Sequence, residues 1–294
     1  MKNTLNYYYG IDVLNIHQKD KKFYFKYNNK EYIFIECDIP NIDKIYNLAI
    51  KLNQLGIPCH RIIENKSNQI ITNVNNTNYI LMETYITKEK IKLNDIITFN
   101  NISINDETLK IDSWYNLWTA KVDYFEYQIS QIGKKYPLIR KSFSYYIGLS
   151  ENAISLVKTI VEKNTYALCH RRINYLDTTQ ELYNPLNFII DLRVRDVCEY
   201  FKNSFFNGNA IENELFNFLN LNNFDYNESC LFLSRMLFPT YYFDLYEKIT
   251  NNEIDENSIN NITKLSLEYE TLIKKLYFYL KNKVNIPTIE WLTS

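Results

Sequence analysis

The feature that most constrains this chain is a change of hydrophobic period part-way along it. Up to about residue 87 the apolar residues sit at the spacing of strands. From Trp114 onward they recur mostly every three or four positions, the spacing of helices. Such a switch predicts an α+β chain, with a small strand-rich part followed by a larger, mainly helical one.

The strand-rich part spans residues 1–87 and is expected to hold five strands and one helix. Residues 22–27 (KFYFKY) and 31–36 (EYIFIE) are aromatic and β-branched, and Asn28, Asn29 and Lys30 separate them. This is a hairpin pattern in which Asn takes the left-handed turn positions that glycine usually fills. Residues 10–17 supply a preceding strand. A helix follows from Asn41 or Asp43 to Leu55, with Ile45, Leu48, Ala49, Leu52 and Leu55 on one face and Gly56 closing it. Two more strands, 69–74 and 78–86, are joined at Asn75-Asn76-Thr77.

Residues 88–112 are polar and weakly patterned and read as a connector; 113–294 form the helical part. Trp114, Trp118, Val122, Phe125, Ile129 and Ile132 mark an amphipathic helix that ends at Gly133. Another helix is expected to start at Ser150 or Glu151. Further periodic stretches occupy 194–206, 211–220, 228–237 and 258–282.

Composition removes several classes of function. The 294 residues include only 5 glycines, none close enough to another to form a phosphate-cradling loop, so GxGxxG, Walker A and GxSxG motifs are all absent. A formal net charge of -1 argues against nonspecific nucleic-acid binding, which needs a basic excess. The opening MKNTLNYYYG lacks the apolar core of a secretory signal, and no run is long enough for a membrane span, so neither membrane nor nucleic acid is an expected partner. The five cysteines are odd in number, widely spaced and without a CxxC pair. They read as reduced thiols of a cytosolic protein, with no structural metal and no cofactor expected.

The segment from Tyr166 to Tyr200 carries the chemistry. An apolar stub (Tyr166-Ala167-Leu168-Cys169) leads into His170-Arg171-Arg172. After a gap come Phe188-Ile189-Ile190 and Asp191, then Arg195-Asp196 at the head of a helix. Strand, polar loop, strand and acidic residue is the layout of a phosphotransferase catalytic segment.

On these residues, and on the Leu55-Gly56-Ile57-Pro58 turn, the chain resembles the aminoglycoside/choline-kinase-like branch of the protein-kinase fold. The stretch from Trp118 to Phe201 is similar to its spore-coat subgroup, the CotS/YutH-type proteins. The matching pieces are Trp118, Lys121-Val122-Asp123 and Glu126, the run from Phe143 to Ile154, Cys169-His170-Arg171-Arg172, Asn184-Pro185-Leu186-Asn187, Asp191 and Arg195 to Tyr200.

The resemblance implies a two-lobed, protein-kinase-like fold and four catalytic requirements. The active branch has a His-Gly-Asp type loop whose Asp accepts the substrate proton. Here the matching residues are His170, Arg171 and Arg172, and arginine cannot act as a base near neutral pH. The metal position falls near Asn184 to Asn187, where neutral amides are weaker magnesium ligands than carboxylates. YutH-type proteins carry an aspartate about where Asn187 stands. Asp191 reads as a structural partner of Arg171, Arg172 or Arg193, with metal binding as the lesser alternative.

On the third strand (EYIFIECD) no lysine appears; Glu36 or Cys37 stands near the expected position. The turn that should cover phosphates has no glycine. Arg195 and Asp196 read as structural, with Asp196 favouring the positive end of its helix. His170, Arg171 and Arg172 are expected to join Asp191 and Asp196 in an ion network.

The expectation is therefore a pseudokinase without catalytic residues and without ATP binding. It would be a structural or binding protein of the endospore coat, made in the mother-cell cytoplasm and partnered by other coat proteins. The alternative is a small-molecule phosphotransferase with rearranged groups, in which Asn184, Asn187 or Asp191 holds a ligand or metal and Asp177 or Glu181 serves as base.

Overall fold

The computed structural model describes residues 1–19, 21–85, 90–104, 109–160, 165–173 and 178–293. Two compact units emerge. The first comprises Met1–Thr98, Asp106–Leu109 and His170–Ile189; the second comprises Phe99–Asn105, Lys110–Cys169 and Ile190–Ser294.

The first unit opens with helix α1 (Lys2–Tyr9), which the sequence pattern did not show because Leu5 is its only buried residue. Gly10, at φ 71°, ends the helix in the left-handed conformation that glycine adopts without strain. Strands β1 (Ile16–Lys19), β2 (Lys22–Tyr27) and β3 (Lys30–Glu36) follow, then α2 (Ile42–Gln54). Next come β4 (Arg61–Ile63), β5 (Thr72–Val74) and β6 (Thr77–Glu83). The described residues thus give this sheet six strands where five were expected; β4, three residues long, is too short to show a period. The strand expected over 10–17 starts only at Ile16, and Leu55 lies beyond α2 and is exposed.

The antiparallel order is β1-β2-β3-β6-β4, with β5 paired to β6. Both hairpins turn on asparagine pairs: Asn28 and Asn29 at φ 49° and 61°, Asn75 and Asn76 at φ 51° and 62°. One sheet face stacks Phe25 on Tyr32 and Phe34 on Tyr79, beneath Leu5 of α1. The other buries Ile33, Cys37, Ile62, Ile80 and Met82 with Ile42 and Ile45 of α2.

Helix α3 (Leu93–Asn100) lies in the stretch read as a connector. The second unit is built on α4 (Trp114–Ile132) and α5 (Pro137–Lys158). Helix α5 starts well before Ser150. Pro137 occupies its first turn, and the Glu256 carboxylate accepts from the Leu138 and Ile139 amides at 2.8 and 3.0 Å. A cap supplied from so far along the chain leaves no local sequence signal.

Strand β7 (Tyr166–His170) pairs with β8 (Phe188–Leu192); between them lie α6 (Thr179–Leu182) and a 3-10 turn (Pro185–Asn187). Then come α7 (Arg195–Phe206), α8 (Glu212–Leu221), α9 (Tyr226–Leu237) and α10 (Thr240–Thr250). The expected 258–282 helix is divided into a 3-10 turn (Glu256–Ile259), α11 (Asn260–Thr263) and α12 (Ser266–Lys283); α13 (Glu290–Thr293) follows. The core is aromatic: Phe125 stacks on Phe243 at 4.6 Å and Tyr146 on Tyr242 at 3.8 Å. Among the described residues no helix is long and apolar enough to cross a membrane.

Candidate functional site

The residues singled out in the sequence lie on β7, β8, the connection between them and the first turn of α7. In the first unit that connection is held tightly. Asn184 caps the 3-10 turn, its Oδ1 accepting from the Leu186 amide at 3.1 Å. Asn187 clamps Arg172: its Nδ2 donates to the Arg172 carbonyl at 2.9 Å and its Oδ1 accepts from the Arg172 amide at 3.3 Å. The Arg171 amide donates to the Asn187 carbonyl at 2.8 Å. Both amide oxygens that could ligate a metal are therefore bonded to main-chain N–H groups.

His170 is buried, with Nε2 2.9 Å from the Leu182 carbonyl and its ring edge-on to Phe188. Arg171 and Arg172 are exposed. Glu181, one of the two alternative bases, is ion-paired with Lys22. Asp177, the other, lies outside the described residues.

The same connection is fastened to the sheet and α2. The His60 amide donates to the Tyr183 carbonyl at 2.8 Å, and Leu186 packs among Ile33, Ile42, Ile45 and Ile62. His60 itself is fully buried, its Nδ1 accepting from the Tyr85 amide at 3.0 Å, and burial pushes its pKa down to about 4. Near the position of a nucleotide-binding lysine, Ile33 of β3 and Cys37 just past it join this apolar cluster. Glu36 is paired with Lys21 at 2.8 Å. Lys30, at the start of β3, is paired with Glu83, and Lys26 with Glu31.

In the second unit Asp191, next to last in β8, is only 2% exposed. Trp114 Nε1 donates to both carboxylate oxygens, at 3.0 and 3.2 Å. The Leu192 amide donates to Oδ1 at 2.7 Å, and Arg195 Nη1 reaches Oδ2 at 2.6 Å. Three N–H groups thus hold the two oxygens, the indole N–H being shared between them, against the roughly four acceptor sites of a carboxylate. The expectation for Asp191 needs correcting: its ionic partner is Arg195, four residues on at the start of α7. Arg193 instead meets Glu228 at 3.6 Å. Asp191 joins Arg195 and Asp196 in a network at the head of α7.

Asp196 is fully buried in the first turn of α7, 3.9 Å from Arg195 Nε; the N-cap residue is Val194. Burial works against the Arg195 charge, but Asp191, Asp196 and Glu199 outweigh it and raise its pKa. Burial, reinforced by Asp196 and Asp191, pushes the Cys169 thiol well up and leaves it a poor nucleophile.

A second buried network adjoins this one and has no sequence signal beyond the i,i+3 spacing of Glu199 and Lys202. Lys202, fully buried, reaches Glu199 at 2.8 Å, the Arg235 and Phe238 carbonyls at 2.8 and 3.0 Å, and Thr240 Oγ1 at 2.9 Å. Arg235 Nε donates to Glu199 at 2.6 Å, and its guanidinium lies 5.0 Å from the Trp114 ring centre. Burial opposes the Glu199 charge, yet Lys202 and Arg235 hold its pKa far below the usual carboxylate range. Trp114 therefore links both networks, touching Asp191 with its indole N–H and Arg235 with its ring.

Comparison with known proteins fits this layout. An aminoglycoside phosphotransferase from Alicyclobacillus acidocaldarius shares the fold with a TM-score of 0.65 at 10% identity, covering 92% of this chain and 93% of the other. A spectinomycin phosphotransferase solved with ADP and spectinomycin gives 0.56 at 14% identity over 93% and 92%. These likenesses establish a kinase-like fold. The endospore coat-associated protein YutH of Bacillus subtilis is 26% identical over 212 residues, spanning 62% of this chain and 62% of that protein. The family model described as spore coat putative kinase YutH matches residues 2–276. With that match over nearly its whole length, the chain belongs to the spore coat putative kinase YutH family.

Proposed function

We propose that this chain is a noncatalytic member of its family, a pseudokinase that serves as a structural or binding protein of the endospore coat. One observation carries the reading: the polar groups at the metal positions are already consumed. Asn184 and Asn187 are bonded to main-chain amides, and both oxygens of Asp191 are engaged by Trp114, Leu192 and Arg195. To bind magnesium, Asp191 would have to surrender a buried arginine, which is costly. Arg172 at the base position cannot accept a proton.

Membership of the family, and the coat association in the name of the Bacillus subtilis relative, support a place on the coat surface. The chain would be made in the mother cell and held by other coat proteins, with no call on ATP. The test is incubation with γ-labelled ATP and magnesium, with and without an aminoglycoside or coat-protein extract. Label should stay on ATP at the rate of a protein-free control. Transfer above that control, abolished by Asp191→Asn, would overturn the proposal.

A further inference from the structure

The last turn of α7 holds a reactive pair that the site above does not use. The chain is rich in asparagine, yet only Gly208 follows one; the other glycines follow tyrosine, leucine or isoleucine. Without a β-carbon, Gly208 leaves its backbone nitrogen unshielded from the carboxamide of Asn207. Asn207 closes α7, and both residues are exposed. Gly208 stands at φ 84°, and a β-carbon placed there would meet nothing within 4 Å, so the pair borders open space.

In the folded turn both reacting groups are occupied. Asn207 keeps a near-helical backbone, with φ -94° and ψ 11°, and its Nδ2 donates to the Asn203 carbonyl at 2.7 Å. The Gly208 amide donates to the Phe205 carbonyl at 2.8 Å. Asn209 fastens the turn, its main-chain N–H and its Nδ2 both donating to the Ser204 carbonyl, at 3.1 and 2.9 Å. Attack of the nitrogen on the carboxamide therefore waits on local opening, which helix ends undergo far more readily than helix interiors.

We propose that Asn207-Gly208 is a site of spontaneous deamidation, gated by opening of the last turn of α7. In the opened turn the Gly208 nitrogen bonds to Asn207 Cγ. The side-chain amide leaves as ammonia, taking the proton from that nitrogen, and a cyclic succinimide remains. Water then opens either carbonyl of the ring, giving aspartate or isoaspartate. Either product sets a carboxylate at the negative end of the helix dipole. Isoaspartate also adds a methylene to the main chain, shifting the Gly208 and Asn209 amides away from the Phe205 and Ser204 carbonyls. The modification loosens the end of α7 and is not reversed by refolding.

The test incubates the full chain in mildly alkaline buffer, folded and in urea. Conversion is read by peptide mass spectrometry and by isoaspartyl methyltransferase labelling. In urea Asn207 should convert well ahead of Asn257, which precedes Ser258, and Gly208→Ala should remove that lead. Two hydrogen bonds must break in the folded chain, so folding should slow Asn207 by about tenfold or more. Asn209 is exposed, so Asn209→Ala should keep the parent circular dichroism and melt. It removes one bond of the turn, and should speed conversion of the folded chain about threefold while leaving the rate in urea unchanged. Asn207 trailing Asn257 in urea, equal rates folded and unfolded, or a folded chain indifferent to Asn209→Ala would overturn the proposal.

Discussion

Replacing Asp191 with asparagine separates a structural carboxylate from a metal ligand by the sign of its effect. Asp191→Asn keeps the shape and an oxygen for Trp114 and Leu192, but removes the charge facing Arg195 at 2.6 Å. The Arg195 side chain is only 13% exposed and retains Asp196 at 3.9 Å. Breaking a buried pair by removing one partner costs about 3–5 kcal/mol, and the second carboxylate places the expected loss near the lower end, about 3 kcal/mol. At about 2 °C per kcal/mol for a chain of this size, the melting temperature should fall by about 6 °C. Carboxylates kept for catalysis behave differently: removing them commonly leaves stability unchanged or raised. Urea unfolding at pH 7, with the m-value checked against the parent, measures the difference. Unchanged or increased stability in Asp191→Asn would refute the assignment of this residue to the fold.

Three further outcomes follow from the structure. His60, its pKa lowered from 6.5 to about 4 by burial, resists protonation in the folded state only. Its contribution is therefore intact above pH 6.5 and lost as pH falls toward 4, about 3 kcal/mol across that window at 1.4 kcal/mol per unit; urea midpoints of His60→Gln should show a flatter pH dependence there than the parent. Lys202→Met should cost about 3–5 kcal/mol by taking one of its two cations from buried Glu199 and the donor from three oxygens, and adding Glu199→Gln should deepen the loss by at least about 1 kcal/mol in a double-mutant cycle, because Arg235 then loses its carboxylate. Asn29→Gly should be neutral or slightly stabilising and Asn29→Ala should cost about 1 kcal/mol, because φ is 61° at that turn; thermal melts of both decide it.

What could be read in advance was what is encoded locally. The Asn28-Asn29 and Asn75-Asn76 turns, the strand over 22–27 and the helix over 114–132 each declare themselves within a few residues, through turn chemistry or period. The site was legible as a list, since the family resemblance marks Asn184 and Asn187 and the apolar stub Phe188-Ile189-Ile190 leads into Asp191. Their partners were not. Trp114 meets Asp191 across 77 positions, and Glu256 caps α5 across more than a hundred. No period or spacing encodes contacts of that range. The Glu199–Lys202–Arg235 network was missed for a related reason: charged residues in an amphipathic pattern read as solvent-facing, and only the packed structure shows Lys202 fully buried. For Asp191 the expected arginine partners gave way to Arg195, which the first turn of α7 brings to it and which nearness in sequence to the His170-Arg171-Arg172 trio had obscured.

The central claim is that a kinase-like fold here has given its metal-holding positions over to its own architecture. Isothermal titration calorimetry of the full chain with ATP and magnesium tests it most directly. The structure predicts no saturable heat up to millimolar nucleotide. A one-site isotherm that requires magnesium and disappears in Asn187→Ala, a variant that leaves Asp191 and Arg195 paired, would contradict it.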